Sequence, residues 1–181
     1  NKTCISKQHP DMYIDLSAIA KGYAIDNVAE FLDSLGIKHY MIEVGGEIRA
    51  TGLNVNNTPW QIGIEKPISN ERTVQKIIPL KDISLATSGN YRNYFEHNGK
   101  RYSHLIDAST GSPVSHDLVS VTVLHNSSMT ADALATAFMV MGHEKALEFA
   151  KSKQLAVLFI VKKDTELMEI ATEQFPKINL H

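Results

Sequence analysis

TADALATAFMVMG, residues Thr130–Gly142, reads as a helix that is apolar almost all the way round and closed by a glycine. Such a helix belongs in a core rather than on a surface. HEKALEFAKS follows as a second helix, with Gly142 between the two. LVSVTVLH, just upstream, alternates as a strand does, and LAVLFIVK, just downstream, reads as a buried strand. Two helices set between strands, with no strand–helix–strand rhythm around them, point to an α+β fold.

The rest of the chain extends that pattern. MYIDL reads as a short strand ending at Asp15. Ser17 is the expected N-cap of a helix through AIAKGYAIDNVAEFLDSL that Gly36 closes. Ile25, Val28, Ala29, Leu32 and Leu35 are its expected core-facing stripe. HYMIEV, EIRATGL, WQIGIE and TVQKIIPL are strand-like runs, the earlier ones separated by Gly45-Gly46 and by NVNNTP. In YRNYFEHNGKRYSHLID, Asn98-Gly99 favours φ > 0 at both central positions of a turn, which predicts a hairpin. No repeat or linker divides the chain, so residues 1–181 are expected to form a single domain with mixed or antiparallel sheets packed against helices. A doubly wound nucleotide-binding fold is not expected, because no glycine-rich fingerprint follows a strand.

With 43% hydrophobic and 21% charged residues among 181, the chain can bury a substantial core. A net charge of -2 provides no basic excess for nucleic acid or an anionic membrane. No run is long and apolar enough to span a bilayer. One cysteine, Cys4, permits neither an internal disulfide nor a cysteine metal cage. The sequence opens NKTC, without an initiator methionine or a signal peptide, which suggests upstream processing or a piece of a longer protein.

Asp132 and Thr136 stand four residues apart, so one helix face presents a carboxylate beside a hydroxyl. Hard cations such as Mg²⁺ take oxygen ligands of this kind, with phosphate and water completing the octahedron. The same pair also allows a structural reading. Asp132 would complement the helix dipole from the first turn, and Thr136 would bond back to the Asp132 carbonyl.

Two further stretches carry polar groups. In DLSAIAKGYAID, Asp15 and Lys21 bracket a helix start whose small residues, Ser17, Ala18 and Ala20, would let an anionic ligand approach free N–H groups; a capped amphipathic helix with a solvated lysine fits equally. In RYSHLIDASTGSPVSHD, Tyr102, His104 and Ile106 would face one way along a strand leading to a polar turn of Asp107, Ser109, Thr110 and Gly111. His104 there is a general-base candidate or a packed histidine. Thr87, Ser88 and Gly89 of ATSGNYRNYF read as a small-residue loop suited to close approach of a phosphate or ring.

Taken together, DLSAIAKGYAID, IEVGGEIRATG, PWQIGIEKP, ATSGNYRNYF, GKRYSHLIDASTG and ADALATAFMVMG resemble, in order, the FAD:protein FMN transferases, also called the ApbE family. The resemblance runs from about Asp15 to Gly142 and into the strand beyond. It implies a T-fold-like core and a bacterial enzyme that takes FMN from FAD and esterifies it to a threonine hydroxyl of a target protein, releasing AMP. Targets would be subunits of Rnf-type and sodium-pumping (Nqr-type) redox complexes. By matching positions, Asp132 and Thr136 would be Mg²⁺ ligands with the Ala18 carbonyl. Asp15, Lys21, Ser88, Gly89 and the Ile106 backbone would touch FAD, and His104 would be the base. Some members carry an acid where this chain has Ala135, which leaves that residue only as a carbonyl neighbour of the metal. A Mg²⁺-dependent FAD pyrophosphatase and a non-catalytic flavin- or metal-binding module are the alternatives.

Members of the family carry a long N-terminal part that supplies much of the flavin pocket, behind an export signal and often a lipid-attachment cysteine. Cys4 has no apolar lipobox before it and does not match that anchor. The resemblance therefore implies the C-terminal, metal-binding portion of an exported protein. The whole would sit at the periplasmic face of the inner membrane, lipid-anchored upstream of these residues, and the portion alone would bind FAD weakly.

Overall fold

A computed structural model describes residues 4–67, 73–90, 94–97, 100–103, 105–107, 110–164 and 166–177. Its centre is a six-stranded sheet. In chain order the contributing strands are β1 (Tyr40–Val44), β2 (Glu47–Thr51), β5 (Ile83–Gly89), β10 (Leu118–His125), β11 (Ala156–Lys163) and β12 (Glu166–Ala171). They lie side by side in that same order, and every neighbouring pair is antiparallel. The α+β class expected from the sequence is what forms.

Helices cover one face of the sheet. In α2 (Ser128–Met141), Ala131, Ala135, Phe138 and Met139 pack with Val121 and Val123 of β10 and with Val157, Phe159 and Val161 of β11. In α3 (His143–Ser152), Ala146 and Ala150 join the same core. Phe138 meets both Phe149 and Phe159 with ring centroids 6.0 Å apart, locking the two helices to β11. Ser127 caps α2, its hydroxyl accepting from the Thr130 N–H, and Gly142 at φ 79° breaks the helix before α3 begins.

The opposite face is covered by a hairpin of β3 (Trp60–Glu65) and β4 (Val74–Leu80). Ile62, Ile64, Ile78 and Leu80 alternate onto Ile48, Ala50, Leu85, Leu124 and Leu158 of the sheet. β11 is therefore buried on both faces, which explains its unbroken apolar run. A second hairpin pairs β6 (Tyr94–His97) with β7 (Lys100–Ser103), His97 opposite Lys100; the expected turn residues Asn98 and Gly99 lie outside the described residues. The short pair β8 (Ile106–Asp107) and β9 (Ser112–Pro113) turns through Gly111, whose φ is 67° and whose N–H reaches the Asp107 carbonyl at 2.8 Å.

The N-terminal segment corrects several expectations. MYIDL forms no strand: residues 12–16 run without a ladder partner, and Tyr13 is 85% exposed. Strand-like composition cannot hold a strand that has no neighbour. Ser17 is not the N-cap of α1 (Ser17–Ser34). Leu16 occupies that position, and the Asp15 carboxylate takes both the Ser17 N–H, at 2.7 Å, and the Ser17 hydroxyl. Of the expected α1 stripe, Ile25 and Ala29 are buried, while Val28 and Leu35 face out. The reason is that α1 rests mainly on α2 along a narrow line that begins at Gly22. Gly36, at φ 76°, does end the helix.

Candidate functional site at the crossing of two helices

The polar residues singled out in α1 and α2 meet where the two helices cross. Gly22 lets them touch: a Cβ built there would overlap the Ser128 carbonyl oxygen and lie 2.5 Å from its carbon and 2.6 Å from the Met129 Cα. Across this contact the Gly22 N–H donates to Oδ2 of Asp132 at 2.9 Å. In a regular helix that N–H belongs to the carbonyl of Ala18.

Asp132 is only 3% exposed. It does not complement the dipole from the first turn, because α2 starts two residues before Thr130 and its first turn holds no acid. Thr136 sits one turn further on, half-buried, and its hydroxyl makes no hydrogen bond with any described residue, the Asp132 carbonyl included. The buried carboxylate of Asp132 and the uncommitted hydroxyl of Thr136 are hard-oxygen donors of low charge, the kind that fits Mg²⁺. Ala135 contributes no side-chain donor, since its methyl is buried in the core beneath α2. Among the described residues no cluster of three or more His, Cys, Asp or Glu suits a metal, so any ion here relies on the hydroxyl and carbonyl oxygens.

Lys21, next to Gly22, points to the turn between β1 and β2. Its Nζ donates to Oε1 of Glu47 at 2.7 Å. Glu47 side-chain exposure is 2%, against 41% for Lys21. Burial pushes the Glu47 carboxyl up; the hydrogen bond and charge of Lys21 pull it down, the Asp132 charge pushes it up again, and the net direction is upward. Lys21 thus lies between a buried acid and solvent, on the side of α1 that faces Asp132's neighbour Glu47. Sequence reasoning missed Glu47; the signal available was an acid at the end of an otherwise apolar strand start, directly after Gly45-Gly46.

Asp26, one turn beyond Gly22, holds the beginning of α2. Its carboxylate accepts from the Ser127 hydroxyl at 2.8 Å and from the Ser128 and Met129 N–H groups at 2.9 and 3.0 Å, with Arg49 Nη1 at 3.2 Å. Burial alone would raise this carboxyl, but the hydrogen bonds outweigh it and the value falls below the ordinary 3.8. A carboxyl lowered by folding adds stability that is present above its unfolded value and lost as pH drops through its folded one. Replacing Asp26 by Ala is expected to cost about 2–3 kcal/mol at neutral pH. Urea unfolding at pH 7 and again near pH 3 checks this, since the gap between parent and variant should narrow in acid.

The other expected site residues are distributed as follows. Asp15 is exposed at the head of α1, its carboxyl lowered by the Ser17 hydroxyl and N–H. Ile106 lies in β8, half exposed, near α2. Ser88 and Gly89 are not in a loop: they end β5 and pair with Val121 and Ser120 of β10. Small residues gave the stretch a loop-like composition, but the ladder to β10 commits its backbone. Ser84, Ala86 and Ser88 share the face toward α2, where the Ser84 hydroxyl lies 2.8 Å from that of Ser128. His104 lies outside the described residues.

Fold and site together define an α+β protein with a buried carboxylate held between two helices on an antiparallel sheet. The chain belongs to the ApbE family, whose model matches residues 1–159. It is 54% identical over 171 residues to the FAD:protein FMN transferase of Vibrio cholerae serotype O1, covering 94% of this chain and 51% of that protein. The Haemophilus influenzae protein of the same name is 49% identical over 178 residues, covering 98% and 51%. A solved structure, flavin transferase ApbE from Vibrio cholerae, superposes with a TM-score of 0.85 at 52% identity, over 94% of this chain and 54% of that one. The chain spans about half the length of the curated relatives it matches.

Proposed function

We propose that the protein transfers FMN from FAD to a threonine hydroxyl of an acceptor protein in a Mg²⁺-dependent reaction that releases AMP. The observation that supports this reading is the Asp132–Gly22 contact, which holds a buried carboxylate against the backbone of α1 one turn from Thr136 on its own helix. The names of the relatives, all FAD:protein FMN transferases at 42–54% identity in the nearer cases, support the same chemistry.

Asp132, Thr136 and the Ala18 carbonyl, with Ala135 as a carbonyl neighbour, would hold Mg²⁺, which when bound supplies charge neutralisation at the pyrophosphate oxygens. Lys21 adds a cation at the head of α1, where N–H groups already favour an anion. Asp15, Ser88, Gly89 and the Ile106 backbone would orient FAD. In the reaction the threonine oxygen forms a bond to the FMN phosphorus while the bond to the bridging oxygen breaks, and AMP leaves with that oxygen. His104 would accept the threonine proton, a contribution of about 10² to 10⁴ in rate. Such transfers depend on positioning and charge stabilisation more than on a protein nucleophile.

By the same reading the acceptors are Rnf- or Nqr-type redox subunits, and the protein works at the periplasmic face of a bacterial inner membrane through a lipid anchor. Among the described residues no helix is long and apolar enough to cross a membrane. The test is to incubate the full-length gene product with FAD, Mg²⁺ and a threonine acceptor peptide. Flavin fluorescence on the peptide with equimolar AMP is expected. Free FMN with AMP and an unlabelled peptide would replace the transferase by a FAD pyrophosphatase.

A further inference from the structure

Glu47 is unusual in where it places its charge. It is 2% exposed, one carboxylate oxygen takes the Lys21 ammonium at 2.7 Å, and the other is buried with no hydrogen-bond partner among the described residues. A second carboxylate, Asp132, is close enough to oppose its ionisation. A buried acid with an unmet acceptor beside a like charge is a costly arrangement for the fold alone. The surrounding turn is shaped around the lysine. Gly45 and Gly46 have φ of 59° and 98°, which brings β2 back at once and sets Glu47 at its start. A Cβ on Gly45 would lie 3.1 Å from Cδ of Lys21, so the lysine stem runs across the bare glycine face. Glycine gives room to the stem and glutamate takes the head.

We infer that the Gly45-Gly46-Glu47 turn is a clamp for Lys21, and that Glu47 is a positioning residue holding the ammonium toward the anionic part of the ligand bound beside Asp132. The inference rests on the proposed FAD reading only for the name of that ligand, a pyrophosphate ester. Lysine has three donors on a flexible four-carbon stem. One is fixed on Glu47, the stem is confined by Gly45, and the side chain stays partly exposed, which leaves the remaining donors for a ligand. Without the clamp the lysine would retain its charge and lose its aim.

Charge and position predict opposite signs for Glu47→Gln. If Glu47 acted only through its charge, removing a negative group would tighten anion binding. If it positions Lys21, binding weakens, because a neutral acceptor holds an ammonium less firmly. The experiment is calorimetric titration of the full-length gene product with inorganic pyrophosphate, using parent, Glu47→Gln, Lys21→Met and the double variant, with thermal melting in parallel. Expected are a loss of about 10-fold for Glu47→Gln in the parent, and less than about 2-fold in the Lys21→Met background, since the two residues act as a unit. The melting temperature of Glu47→Gln should not fall, because the variant removes a buried charge that folding opposes. Equal losses in both backgrounds, tighter binding by Glu47→Gln, or no pyrophosphate binding by the parent would each overturn the clamp. Flavin transfer is scored separately on the same four proteins: pyrophosphate coupling without any transfer leaves the clamp standing and removes the FAD reading. Transfer without the coupling does the reverse.

Discussion

Asp132→Asn is expected to fold and to lose FMN transfer by at least ~10²-fold, the size of effect that several kcal/mol of lost transition-state stabilisation produces. Asparagine is the informative replacement. Its amide oxygen can still accept the Gly22 N–H that Asp132 Oδ2 takes at 2.9 Å, so the helix crossing is retained. Alanine would instead remove a buried acceptor, at a cost of about 1–3 kcal/mol in stability, and mix that loss with the catalytic one. The carboxylate's negative charge is what asparagine lacks, and the proposed ion depends on it because the other donors, a hydroxyl and a carbonyl, are neutral. Raising Mg²⁺ should recover part of the activity of Thr136→Ala, whose lost donor is neutral, but little of the activity of Asp132→Asn. Steady-state transfer assays over a Mg²⁺ series decide the matter. Unchanged turnover in Asp132→Asn, with circular dichroism and melting like the parent, removes the metal mechanism.

How far this site could be read in the sequence follows from how local its causes are. Asp132 and Thr136 lie on one helix, and their spacing alone brings them together. The α2–α3–β11 succession was legible for the same reason: a glycine break and apolar runs act within a few residues. Gly45-Gly46 was legible as a turn because positive φ restricts residue choice sharply. The contacts that were not legible join residues far apart. Glu47 meets Lys21 across 26 residues, and Asp26 reaches Met129 across 103. No periodicity announces either. β12 went unread because ELMEIA is an edge strand, more exposed than its neighbours, and its pattern is correspondingly weak. The small-residue end of β5 has a loop-like composition because close packing under α2 requires small side chains there. In MYIDL the error ran the other way, composition suggesting a strand that no neighbour completes.

Gly22→Ala is expected to destabilise the protein strongly. By intrinsic helix propensity the change should help, since glycine inside a helix costs about 1 kcal/mol relative to alanine. The packing reverses that sign. The added Cβ would overlap the backbone of Ser128 and Met129, and those atoms cannot turn aside as a flexible side chain can. Helix α1 would have to move away from α2. Two sets of contacts depend on their closeness: the Gly22 N–H on Asp132, and the Asp26 carboxylate on Ser127, Ser128 and Met129. Overpacking against side chains typically costs about 1–3 kcal/mol, and weakening a buried hydrogen bond to a charge adds about 1.5–3. A net loss of about 1.5–5 kcal/mol follows once the propensity gain of about 1 kcal/mol is subtracted. Urea unfolding of parent and Gly22→Ala measures it, and Ala24→Gly, placed on the same helix away from the crossing, serves as a control expected to lose only about 1 kcal/mol from propensity. Flavin transfer by any Gly22→Ala protein that still folds should fall as steeply as in Asp132→Asn, because the carboxylate and the Ala18 carbonyl separate as the helices part. Should Gly22→Ala prove as stable as the parent, the two helices do not touch at this glycine, and the site built on their contact is wrong.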